Sequence, residues 1–161
     1  MKTLTTIGLL ALAISSGAAL AEVKRYPLPG NSTFPIAAAV EVNNLVFESG
    51  KVPSPADPAA EKNSAKYWGS TEQQSRTVLL QIQQSLQEKG LAMGDVIKMT
   101  VFLVGDPALE GKMDFAGFMK AYTEFFGTKA QPALPARSAV QVAGLAVPGM
   151  LVEIEVIAVR P

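Results

Sequence analysis

Neither cysteine nor histidine occurs among the 161 residues of this chain. Those two absences exclude a cysteine nucleophile, a Ser-His-Asp triad, a histidine-ligated metal site and any disulfide. The acidic residues are scattered and match no calcium-loop spacing, so neither a metal nor another cofactor is expected. Charge of one sign is also missing. Fourteen Lys and Arg balance fourteen Asp and Glu, which gives no general attraction to nucleic acid or to anionic lipid. What remains is Arg, Glu, Asp, Lys, Tyr, Ser and backbone groups. That set suits a site that binds an anion and positions a water better than one that attacks covalently.

Long apolar runs are missing too, with a short one only at the start. Lys2 precedes the apolar stretch Ile7 to Ile14, and Ala19-Leu20-Ala21 has the small-x-small form of a processing site. The stretch is too short, and too rich in Ser, Thr and Gly, for a good membrane span. Residues 1–21 are therefore expected to be a signal peptide cleaved after Ala21, leaving 22–161 as one domain. The mature protein would be periplasmic or secreted and off the membrane, and no cysteine is present for lipid attachment. Removing Lys2 and no acid leaves 13 basic residues against 14 acidic, a net charge of −1. About 140 residues suffice for one core.

Along that domain, Ala37 to Val42 and Leu45 to Ser49 flank Asn43-Asn44, the pattern of a tight β-hairpin. Pro53 to Gly69 lacks periodicity and reads as a long loop or lid, which Tyr67 and Trp68 anchor to the body. Ser70 and Gln73 stand at capping-box spacing before a helix. Val78, Ile82 and Leu86 recur every four residues in it, Leu79 widens the stripe, and Lys89-Gly90 ends it. Ile97 to Val104 is β-branched and aromatic, hence a strand. Asp114 caps a second helix, Phe115 to Phe126, whose aromatic face is expected to pack on a sheet. Ala136 to Val142 and Met150 to Val159 are the last strands. The order β-β-α-β-α-β-β predicts an α+β fold, one sheet under two helices.

Arg137 is the one charge at the mouth of an otherwise uncharged strand, and an unpaired buried guanidinium costs several kcal/mol. It either grips a carboxylate of its own chain or waits for one on a ligand. Glu153 and Glu155 are the nearest candidates, on the last strand. If the two strands formed a simple hairpin, Arg137 would fall opposite Val156, roughly 10 Å along the strand from Glu153. A salt bridge within the chain is then not automatic, and both residues are free to line one cleft that a neighbouring subunit completes.

Four blocks carry a resemblance: Ser49-Gly50-Lys51-Val52-Pro53, Gly94 to Phe102, Pro135-Ala136-Arg137-Ser138 and Val152 to Ala158. In this order and at these spacings the chain, from about Pro29 to Pro161, resembles the RidA family, also called YjgF or L-PSP. The resemblance implies a chorismate-mutase-like fold assembled as a homotrimer with ligand clefts between subunits. It implies hydrolysis of reactive enamines and 2-imino acids to 2-keto acids and ammonia. It assigns Arg137 to the substrate carboxylate, Glu153 to the hydrolytic water, and Ser49 and Gly50 to the pocket floor. Three further pocket positions depart from the familiar deaminating members: Ile36 replaces a Tyr, Met119 an Asn, and Ala139 what is often a Cys. The alternative function is a non-catalytic trimer that binds small carboxylates. Ribonuclease activity, a label the family sometimes carries, lacks both a histidine for acid–base cleavage and a net basic charge. Lys51, Lys98 and Tyr122 are further candidates for the pocket; as structural residues they would be a strand end, a solvated face and a core edge.

Overall fold

The computed structural model describes residues 21–161, so residues 1–20, where nearly all of the expected leader falls, lie outside the described residues. Seven strands form the frame: β1 (Val23–Pro27), β2 (Ala37–Val42), β3 (Leu45–Lys51), β4 (Val96–Asp106), β5 (Lys112–Met113), β6 (Ala136–Val142) and β7 (Val152–Val159). Three helices accompany them: α1 (Ala65–Trp68), α2 (Thr71–Gln87) and α3 (Phe115–Phe125). The α+β class follows as expected. The order differs by elements too short or too polar to show periodicity, namely β1, β5 and α1.

The sheet runs β1-β2-β3-β7-β4, with β5 pairing the far end of β4 and β6 lying alongside β4. All pairs are antiparallel except β4–β6. The last two strands are therefore not a hairpin, because β4 separates them. A parallel partner requires a crossover, and α3 supplies it between β4 and β6.

The helices α2 and α3 cover one face of the sheet. Met99, Val101 and Leu103 of β4 and Val152, Ile154, Val156 and Ala158 of β7 are buried under them, with the α2 stripe Val78, Leu79, Ile82 and Leu86. Because side chains alternate along a strand, Lys98, Thr100 and Phe102 of β4 and Glu153, Glu155 and Ile157 of β7 point to the opposite, open face.

Start and stop signals act as their chemistry requires. The reciprocal Ser70–Gln73 box caps α2, Asp114 caps α3 at Gly117, and Asn43 takes the left-handed turn conformation at φ 54°. The loop from Pro53 to Gly69 folds into α1, and Trp68 is buried with its indole nitrogen donating to the Pro148 carbonyl at 2.9 Å. The segment is anchored, as its aromatic end predicts.

One ion pair is sealed in the body. Lys89 Nζ lies 2.9 Å from Glu48 Oε1, off the line of a hydrogen bond, while Ser85 Oγ donates to Glu48 Oε2 at 2.8 Å. The side chains of Glu48 and Lys89 are 0% and 5% exposed.

Candidate functional site

The proposed pocket residues fall into two groups. The first is built on a bulge in β3. Between Glu48 and Lys51 the pairing with β7 slips, so Ser49 and Gly50 stand against Glu155 alone. Ser49 Oγ donates to the Ala37 carbonyl at 2.7 Å, next to the exposed Ile36. Gly50 is bare where Glu153 crosses it, and a β-carbon there would overlap the Glu153 carboxylate. The glycine is required for space rather than for backbone conformation. Burial raises the Glu153 carboxyl above its ordinary pKa, and the nearby Glu155 adds to the rise. Among the described residues Glu153 has no hydrogen-bond or ion-pair partner.

The second group is on β6 and α3. Arg137 pairs across the ladder with Met99, and Ala139 with Val101, so both project to the helix-covered side. There the guanidinium carbon lies 4.3 Å from the Tyr122 ring centre, 5.1 Å from that of Phe118 and 5.7 Å from that of Phe115. Its Nη1 donates to Met119 Sδ at 3.1 Å. Rings and a thioether hold a delocalised cation by its faces. No carboxylate of the described residues lies within ion-pair distance, so most of its N–H fork is left for something else. The ring ladder continues from Phe118 through Tyr122 to Phe126 and fixes the platform.

A single protomer does not bring the groups together. Arg137 is level with Met99 and Val156, whereas Glu153 is level with Phe102 and Val140. The offset is three residues, roughly 10 Å, with β4 between, and the two side chains are on opposite faces of the sheet. Tyr122 is the residue whose part the sequence reading undervalued: it is a core edge and also the floor under Arg137. The signal was its i, i+4 spacing from Phe118, which places both rings on one helix face. Lys51 and Lys98 stay outside both groups. Lys51 pairs with Glu48 at 3.5 Å, and Lys98 Nζ donates to Ser138 Oγ at 3.2 Å.

Comparison with known proteins gives concordant matches. A family model described as Endoribonuclease L-PSP matches residues 31–160. A RutC family protein of Pyrococcus horikoshii is 35% identical over 126 residues, covering 78% of this chain and 87% of that protein. The 2-iminobutanoate/2-iminopropanoate deaminase of Escherichia coli is 33% identical over 133 residues, covering 78% and 88%. Among solved structures, E. coli TdcF with bound serine superposes with a TM-score of 0.63 at 32% identity, covering 89% of this chain and 99% of that one.

Proposed function

Because this chain belongs to the L-PSP family, also called RidA or YjgF, we propose that it hydrolyses reactive enamines and 2-imino acids to 2-keto acids and ammonia. The observation that carries the reading is a guanidinium seated on three aromatic rings with no carboxylate partner among the described residues. In this proposal the two groups of residues meet across the subunit boundary of a homotrimer. One protomer contributes Arg137, Met119 and Ala139, and its neighbour contributes Ile36, Ser49, Gly50 and Glu153.

The chemistry then needs no nucleophilic side chain. Arg137 pairs bidentately with the substrate carboxylate and fixes the C=N carbon. Glu153, as the carboxylate, takes a proton from a water whose oxygen bonds to that carbon. It returns the proton to nitrogen to give the carbinolamine, then carries the hydroxyl proton to nitrogen as the C–N bond breaks, so that ammonia leaves and the 2-keto acid remains. The raised pKa of Glu153 makes it a better proton acceptor than an ordinary glutamate.

A second reading, a non-catalytic trimer that binds small carboxylates, draws on one observation. Ile36, Met119 and Ala139 offer no O–H or N–H donor where deaminating members resembling this chain have polar groups. The two are separated by generating imino acids from alanine, leucine, methionine and phenylalanine with an amino-acid oxidase and trapping them with semicarbazide. Wild type is expected to suppress trapping, and Arg137→Ala to leave it intact. Trapping unaffected by wild type, with saturable binding of 2-keto acids, would establish the binder instead.

A further inference from the structure

Away from both groups of residues, a cavity of about 530 Å³ opens beside the C-terminal end of β4, within the roughly 300–1,000 Å³ span of small-molecule sites. Three segments meet there: the end of β4 with the turn after it, the α1 segment up to the start of α2, and the loop entering β7. Val104, Pro107, Met150 and Leu151 give it apolar walls.

The cavity is held open by its frame. Gln74, fully buried, donates to the carbonyls of Gly69 at 3.0 Å and Gly149 at 3.1 Å, and accepts from the Leu151 amide at 2.7 Å. Trp68 ties the same two segments together through Pro148. Gly149, at φ +86°, has no room for a side chain, because a β-carbon would strike the Trp68 ring and the Asn63 carbonyl. A frame so fully bonded does not collapse into the space it encloses.

Polar groups on the lining are few. Asp106 is the single ionisable residue of the lining, and Asn63 and Ser70 are the only other polar side chains. Asp106 Oδ1 accepts from the Ala108 amide at 2.8 Å. Its other oxygen has no hydrogen bond, and no cation pairs with the carboxylate among the described residues. An apolar cleft with one uncompensated anion complements an apolar body with one cationic nitrogen.

We infer that this cleft is a second ligand site, for small apolar primary amines, with the ammonium on Asp106 and the hydrocarbon against Val104, Met150 and Leu151. A carboxylate is repelled here, so the ligand class is opposite in charge to that of Arg137. The site stands independently of the proposed deaminase reaction.

Trp68, the single tryptophan of the chain, adjoins the frame and serves as reporter beside isothermal titration calorimetry. The probe is 2-phenylethylamine, with 3-phenylpropanoate as the anionic counterpart. Asp106→Asn, which keeps the turn-capping oxygen, is expected to weaken the amine at least about tenfold with unchanged thermal unfolding. Ala108→Phe, at an exposed lining position, is expected to block it sterically. Millimolar amine that does not bind saturably to wild type, or that binds Asp106→Asn and wild type equally, overturns the proposal. So does displacement of the amine by 3-phenylpropanoate.

Discussion

Glu153 and Arg137 are charged residues placed where their own chain gives them little to hold, and each is expected to show this in solution. Burial and Glu155 raise the Glu153 carboxyl, in that order of size. If its carboxylate is the proton acceptor, kcat/KM rises with pH through a value above the ordinary glutamate range and is lost below it. Glu155→Gln removes the repulsion and is expected to shift that acid limb to lower pH, while burial still holds it above normal. A pH–rate profile of the two proteins reads the shift, and an unmoved limb would assign the ionisation to another group. Arg137 was legible as a charge in need of an anion because it stands alone in a β-prone segment. Its aromatic platform was not, because Phe115, Phe118 and Tyr122 come from a helix about 20 residues earlier, and pairing in space leaves no local trace in sequence.

At the level of elements, the ion pair between β3 and the end of α2 shows how a charged residue becomes structural. Glu48 and Lys89 are both sealed from water, so removing Lys89 leaves Glu48 only Ser85 and the longer 3.5 Å pair with Lys51. Lys89→Met is expected to destabilise by less than the roughly 3–5 kcal/mol of a wholly unpaired buried charge, because Lys51 remains, and adding Glu48→Leu to recover most of the loss. Urea denaturation of the single and double variants measures both, and a single variant as stable as wild type would mean that Lys51 alone compensates Glu48. Such pairs are invisible from sequence, where Glu48 looks like one polar residue in a hairpin strand. What sequence does show is local. The Ser70–Gln73 box and the Asp114 cap satisfy nearby backbone groups, Asn43 supplies the left-handed turn, and each is found where its spacing placed it. Strand neighbours are set by packing instead. Adjacent strands in sequence suggest a hairpin, but the helix α3 carries β6 to the far side of β4.

For the whole molecule, the decisive fact is that Arg137 and Glu153 face opposite sides of one sheet. A complete site of both residues therefore needs more than one copy. Arg137→Ala and Glu153→Gln, each expected to be inactive alone, supply different halves when mixed. Co-refolding them in equal amounts is expected to restore about a quarter of wild-type activity if chains assemble at random around a closed ring. Light scattering on the same samples should give the mass of a trimer. No recovery, or a monomeric mass at micromolar concentration, would sink the shared site.

The position of β7 in the sheet has a consequence for synthesis. The last strand of the chain is a central one, flanked by β3 and β4 with Leu45 against Val159 and Val96 against Ala158. Until residues 152–159 leave the ribosome, β3 and β4 have no common partner, and the apolar faces of α2 and α3 lie over an incomplete sheet. A chain without residues 152–159 thus cannot complete its sheet. A stop codon after Met150 is expected to yield insoluble, protease-sensitive protein, although it removes only 11 of the 161 residues.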